Sequence, residues 1–327
     1  METAHTATDQ QAEWFSHWFN ALLENIELVI KGKRDQVALA LVCLFSEGHV
    51  LLDDVPGTGK TSLAKSIAHS IKGTWSRIQF TPDLLPSDVT GGLVYNQAKG
   101  TFDMRRGAVF SNVVLADEIN RASPKTQAAL LEVMEERQVT VDGRPYRVPR
   151  PFLVMATQNP IEMDGTYPLP EAQLDRFLVK TRVGYPDHAA EVRVLVGEHS
   201  GAGVDDVRQV SESDEIERLV RAARTIHVAP AVFDYMVRLA GHTRQMPQLR
   251  LGASPRGALG LLRTSRVYAA LRGRPYVVPG DVQTLAEPVL AHRILMSPSF
   301  EASGGTVADA VAEAIASVPA PPTDRHR

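Results

Sequence analysis

The feature that most constrains this chain is a glycine-bearing turn, Asp54-Val55-Pro56-Gly57-Thr58-Gly59-Lys60-Thr61, set between a short apolar run, His49 to Asp53, and a helical stretch, Lys60 to Ile71. Strand, glycine turn and helix in that order make a phosphate-cradling unit, because glycines let backbone N–H groups converge on phosphate oxygens and the helix presents its positive end. Lys60 is then placed to reach the β- and γ-phosphates and Thr61 to hold Mg²⁺. The last glycine, the lysine and the threonine match the Walker A pattern. Asp54 stands where that pattern has its first glycine, so its carboxylate has to point away from the phosphates.

A phosphate cradle alone hydrolyses nothing. The second element is Val113-Val114-Leu115-Ala116-Asp117-Glu118, an apolar strand ending in two adjacent carboxylates. In that Walker B reading Asp117 holds the Mg²⁺ shell and Glu118 polarises a water as general base. The plainer alternative is two acids stabilised at a helix N-terminus. A further apolar run, Phe152 to Ala156, leads to Thr157-Gln158-Asn159-Pro160, where the Asn159 amide is placed to orient water or sense the γ-phosphate, or simply to form a turn before proline.

Short apolar runs at Ser76 to Phe80, Asn112 to Ala116, Phe152 to Ala156 and Phe177 to Val183 alternate with helix-length segments such as Lys125 to Arg137. That alternation predicts a parallel sheet covered on both faces. Two stretches interrupt it. Val139 to Val148 alternates around Asp142-Gly143, a strong hairpin signal, and Leu93 to Phe102 is a second hairpin candidate. Upstream, apolar residues from Trp14 to Ile26 and from Val37 to Phe45 predict two helices, with Val29-Ile30-Lys31-Gly32 between them where a nucleotide-binding domain would begin. Beyond Pro186 the period is helical, with candidate helices at Ile216 to Ile226, Ala231 to Arg244, Pro255 to Leu271 and Val282 to Leu290.

With 327 residues the chain is long enough for more than one core. The expected division is an N-terminal helical segment (1–24), an α/β nucleotide-binding core (25–188), a helical lid (189–317) and a fraying tail (318–327). A net charge of -3 supplies no global basic field for a polyanion. The lone Cys43 reads as a small core residue in a reducing compartment. No signal-peptide pattern opens the chain and its longest apolar run is too short to span a bilayer, so the expectation is a cytoplasmic protein without membrane insertion.

Taken together, several motifs resemble the MoxR family of AAA+ ATPases: Leu52 to Thr61, Gly107 to Leu131, Ala156 to Glu162, Leu169 to Phe177, Leu251 to Arg256, Gly273 to Val277 and Ala291 to Arg293. The resemblance implies a P-loop core with sheet order 5-1-4-3-2, helices on both faces, two hairpin inserts and an all-α lid. It also implies Asn159 as sensor 1, Arg256 as sensor 2 and Arg176 as an arginine finger offered to a neighbouring subunit, with Arg121 a second candidate for that contact. A structural ion pair with Asp175 or another acid is the alternative for Arg176, and a surface position at a helix start for Arg256. The set implied for ATP or ADP is Val29, Ile30, Asp54, Val55, Pro56, Gly57, Thr58, Gly59, Lys60, Thr61, Ser62 and Asp117, with Thr61 and Asp117 for Mg²⁺.

The family likeness further implies an ATP-hydrolysing, chaperone-like remodeller that aids maturation or cofactor insertion of client proteins or complexes, built as a homo-oligomeric ring, usually hexameric, with a von Willebrand factor A domain partner. A nucleic-acid motor or ATP-dependent transcriptional regulator is the alternative; Arg144 and Arg147 on the second hairpin favour it, while the charge balance and the lack of a DNA-binding motif oppose it. A metal-chelatase subunit is opposed by scattered histidines and a single cysteine.

Overall fold

The computed structural model describes residues 7–55, 57–159, 166–199 and 203–322. Pro56 of the phosphate loop and Pro160 to Glu162 of the motif after Ala156 lie outside the described residues.

The chain begins with α1 (Asp9–Glu27), α2 (Arg34–Phe45), β1 (Val50–Asp53), α3 (Lys60–Ser70), β2 (Trp75–Gln79) and α4 (Pro86–Thr90). A ribbon of β3 (Gly91–Asn96) and β4 (Thr101–Arg106) follows, then β5 (Val113–Asp117), α5 (Pro124–Glu136), and a second ribbon of β6 (Gln138–Val141) and β7 (Arg144–Arg147). Next come β8 (Leu153–Gln158), α6 (Glu171–Leu174), β9 (Val179–Thr181) and α7 (His188–His199). The remainder is α8 (Ser213–Arg224), α9 (Pro230–His242), β10 (Leu249–Leu251), α10 (Pro255–Leu271), α11 (Pro279–Leu290), β11 (Leu295–Met296), α12 (Pro298–Ala302) and α13 (Val307–Ser317).

These elements pack as two compact units, one of the described residues within 22–176 and 181–217, the other of those within 1–21, 177–180 and 218–327. The described residues between 189 and 217 thus group with the α/β unit, and the described start of the chain groups with its end. The region after Pro186 is helical, but Asn25 donates to Arg208 O at 2.8 Å and Val210 N–H to Ser70 O at 2.9 Å, so residues up to 217 pack with the α/β unit.

The main sheet has the order β2-β5-β8-β1-β9. Numbering only those five strands along the chain gives 5-1-4-3-2 read from the β9 edge, the expected order. β1 with β8, β8 with β5 and β5 with β2 are parallel pairs. Val50 to Leu52, Val113 to Ala116 and Leu153 to Ala156 are all buried, the near-continuous apolar strands of a sheet covered on both faces. His49, entering β1, is wholly buried: its Nδ1 accepts from Val154 N–H at 3.0 Å and its Nε2 reaches Met134 O at 3.1 Å, tying β1, β8 and the end of α5 together. Burial, seconded by the Arg137 charge, pushes its pKa down to about 3, so the ring is neutral and donates from Nε2.

Both predicted hairpins form. In the second, Asp142 (φ 50°) and Gly143 (φ 73°) turn the chain between β6 and β7 with left-handed backbone, as an Asp-Gly turn requires. In the first, β3 and β4 extend past the predicted ends to Gly91 and Arg106.

The other unit is built on α9, α10, α11 and α13, with Tyr235, Leu239, Leu261, Val267, Leu285, Val289 and Val311 buried. α10 starts at Ser254-Pro255, where the serine hydroxyl accepts from Arg256 N–H at 3.1 Å. Gly260 lets α10 approach α11 closely, since a Cβ there would lie 2.9 Å from Val289 Cγ1. Arg274 grips the carboxylate of the buried Asp281 with two hydrogen bonds, at 3.0 and 2.6 Å. The expected all-α lid has one exception, the short antiparallel pair of β10 and β11. The tail is not wholly loose: Val318 is buried and Pro319 O accepts from Arg238, while residues 323–327 lie outside the described ones.

Candidate active site

The C-terminal ends of β1, β5 and β8 open onto a cleft of about 230 Å³. It is lined by Asp54, Gly57 to Thr61, Arg77, Gln79, Asp117, Glu118, Thr157 and Asn159. That is where parallel α/β sheets carry ligands, because the helix N-termini and the loops converge at that edge. Gly57 and Gly59 both have left-handed backbone, φ 84° and 85°, and Gly59 is the residue from which α3 springs. The turn thus aims the first N–H groups of α3 into the cleft. Lys60 is buried, and its ammonium donates to Val55 O at 2.6 Å across the base of the loop.

Asp54 behaves as its position demands. Its Oδ2 accepts from Val183 N–H at 2.7 Å and Gly184 N–H at 2.9 Å, so the charge is turned onto backbone donors beside the loop.

At the end of β5, strand alternation would send consecutive side chains to opposite faces. Glu118 adopts φ 56°, ψ 49°, a left-handed turn that breaks the alternation, and both Asp117 and Glu118 line the cleft. Thr157, from the adjacent strand, secures the pair: its hydroxyl donates to Asp117 Oδ1 at 2.6 Å and accepts from Glu118 N–H at 2.8 Å. Asp117 Oδ2 meets Arg77 at 2.6 Å, while Glu118 Oε2 accepts from Gln79 at 2.8 Å and Arg121 at 2.9 Å.

A hydroxyl and a carboxylate on one phosphate-cradling cleft suit Mg²⁺, which takes one or two protein oxygens and completes its shell with phosphates and water. Thr61 and Asp117 provide that donor chemistry. Among the described residues no group of three or more His, Cys, Asp or Glu is placed to hold a metal. No helix among them is long and apolar enough to cross a membrane.

Comparison with known proteins agrees with this architecture. Residues 49–179 match the ATPase family associated with various cellular activities (AAA), and residues 241–314 match the AAA lid domain. Chaperone MoxR1 of Mycobacterium tuberculosis is 44% identical over 306 residues, 90% of this chain and 81% of that protein. The chain belongs to the MoxR family of AAA+ ATPases. Protein YeaC of Bacillus subtilis, uncharacterized, is 46% identical over 91% of this chain and 93% of its own length. A crystal structure of a protein provisionally named an ATPase, from Cytophaga hutchinsonii, superposes with a TM-score of 0.90 at 34% identity, covering 96% of this chain and 98% of that one.

For a MoxR-family chain, the predicted residues fall into three groups. Asp54, Gly57, Thr58, Gly59, Lys60, Thr61, Asp117, Glu118 and Asn159 are brought together in the cleft. Val55 stands within the loop and Ser62 one residue into α3 beyond Thr61. Ile30 is buried, and its Cδ1 would lie 3.9 Å from a Cβ on Gly59, so the segment with Val29 and Ile30 does border the phosphate loop. Arg176 is elsewhere. It lines a separate cavity of about 220 Å³ with Glu132, Glu135 and Glu136, its Nε 3.3 Å from Glu135 Oε2. The ion pair weighed for it is thus present, with Glu135 and on α5. Arg256 is exposed in the first turn of α10, in the other unit.

Sequence reasoning missed Arg77, Gln79 and Thr157. The available signal was positional: Arg77 and Gln79 are two apart at the C-terminal end of a parallel strand, on one face, and Gln79 is in register with Asp117.

Proposed function

We propose that this chain binds ATP with Mg²⁺, hydrolyses it, and uses the cycle to remodel client proteins as a subunit of a homo-oligomeric ring. The observation that carries the reading is the single cleft in which a buried lysine, a threonine hydroxyl, two consecutive carboxylates and an asparagine amide converge. Within it Lys60 and the α3 N–H groups bind the phosphates and Thr61 and Asp117 hold the metal. Bound Mg²⁺ would neutralise charge developing on the phosphate oxygens. Glu118 accepts a proton from the attacking water, and Asn159 orients that water.

Arg176 and Arg256 carry the completing roles by family likeness. Arg176 lies outside its own chain's cleft, which fits a residue that serves a neighbouring subunit. Six subunits is the expected ring. The remodelling role rests on the printed name of the Mycobacterium tuberculosis relative, a chaperone. A von Willebrand factor A domain partner is carried over from the family in the same way.

The test is phosphate release beside size-exclusion chromatography with light scattering, on unaltered protein and Glu118→Gln, each with ATP and Mg²⁺. The variant should keep nucleotide and lose turnover by at least about 100-fold, the range a general base contributes. Normal turnover by Glu118→Gln would remove Glu118 from its role, and a monomer under every condition would remove the ring.

A further inference from the structure

Asp117 is already engaged at both oxygens. Oδ1 receives the Thr157 hydroxyl at 2.6 Å, a neutral bond that sets the carboxylate's orientation and leaves its charge intact. Oδ2 meets the Arg77 guanidinium at 2.6 Å. The same Arg77 nitrogen donates to Gln79 Oε1 at 2.8 Å, so the cation sits between two acceptors. β2 is an edge strand and Arg77 leads Gln79 by two residues on one face, so its long side chain reaches along the strand to the position of Asp117, which pairs in register with Gln79. Arg77, Gln79 and Asp117 all line the cleft with Thr61.

We propose that Arg77 is a resident cation on Asp117 that competes with Mg²⁺ for Oδ2, and so sets the concentration at which the metal joins bound nucleotide. The inference rests on the reading of the cleft as a Mg²⁺–nucleotide site. Two cations cannot share one carboxylate oxygen without strong repulsion, and arginine cannot relieve the conflict by losing a proton. It has to move. The burial pattern permits that, because the Arg77 side chain is 47% exposed whereas Asp117 is only 14% exposed. The arginine can swing into solvent while the carboxylate stays in place, held by Thr157. Arg77 is thereby a positioning residue that acts through Asp117.

The exposure also sets the size of the effect. A half-exposed ion pair contributes on the order of 0.2–1 kcal/mol, so removing it should let Mg²⁺ bind about 1.4- to 5-fold more readily.

The experiment titrates Mg²⁺ into protein holding a fluorescent ADP analogue, starting from EDTA, so no turnover is involved. Arg77→Gln should lower the Mg²⁺ midpoint about 1.4- to 5-fold, with the analogue affinity of each variant in EDTA measured as its own baseline. Arg77→Lys, which keeps the charge, should stay near the unaltered midpoint. Gln79→Leu, which removes the second acceptor, should shift it in the same direction as Arg77→Gln but less. An unchanged or raised midpoint in Arg77→Gln overturns the proposal, as does an equal shift in Arg77→Lys. If the unaltered protein binds no analogue with or without Mg²⁺, the site reading itself falls and the proposal with it.

Discussion

Lowering the pH should weaken the α/β unit through His49, and the size of the effect follows from where that ring sits. Its folded pKa is about 3 because burial and the nearby Arg137 charge oppose protonation; in the unfolded chain it titrates at about 6.5. Above that value both states are neutral at this site and stability is unaffected. Below it the unfolded chain gains a proton that the folded one refuses, so stability falls with pH until about pH 3, where the folded ring also protonates. Between pH 8 and pH 5 the loss from this one group is about 2 kcal/mol, and it hardly depends on the folded value so long as that stays below about 4. The assay is urea unfolding followed by Trp75 fluorescence, with Trp14 and Trp18, the other two of the three tryptophans, replaced by phenylalanine. His49→Gln should be less stable at pH 8 by about 1–3 kcal/mol, since it disturbs buried hydrogen bonds, but should lose about 2 kcal/mol less than its parent between pH 8 and pH 5. The subtraction removes His292, also buried and also held well below its ordinary pKa, by burial first and then by Arg293. Equal losses in parent and variant would refute the reasoning.

Arg176→Ala should change nucleotide affinity little, cost under about 1 kcal/mol because its pair with Glu135 is partly exposed, and lower turnover on the order of 10³-fold. Mixing it with Glu118→Gln subunits should restore part of the phosphate release; no recovery would speak against a shared site. Arg274→Ala strands the buried Asp281 carboxylate and should destabilise the C-terminal unit by roughly 3 kcal/mol, read as a fall in its thermal midpoint, with the Asp281→Asn double variant recovering part of it. Gly91→Ala places a Cβ 2.2 Å from Arg105 O at φ 82°, so the base of the first ribbon should open and amide exchange across β3 and β4 should rise by tenfold or more, about 1.4 kcal/mol.

The parts of the fold that were legible were those where one physical demand dominates. β1, β5 and β8 announce themselves as apolar runs because both faces are covered, and Asp142-Gly143 because few residue pairs accept two left-handed conformations. The α10 helix was readable to its ends because Ser254-Pro255 is a strong start. What escaped notice lacks such demands. β10 and β11 span three and two residues, too few for any period to show. α13 went unassigned because its apolar stripe is mostly alanine. Nothing local marks the grouping of the residues between 189 and 217 with the α/β unit, because α7 continues the helical pattern while Val192, Leu195 and Val196 stay exposed. In the site, the loop and the two acids were evident from spacing, whereas Arg77 and Gln79 look like ordinary solvated positions on an edge strand until β5 is laid beside them. Glu135 as the companion of Arg176 joins residues far apart in sequence, and no local pattern encodes it.

Asp54 gives the phosphate loop an unusual vulnerability. A glycine at this position would bring the turn closer to the general Walker A pattern, and a designer tidying the motif would be drawn to it. Here that change would strip the acceptor from the Val183 and Gly184 amides, one of them fully buried, at a cost of about 1–3 kcal/mol for each donor left unanswered. The apparent flaw in the motif is the rivet that fastens it, and restoring the general pattern would break the part.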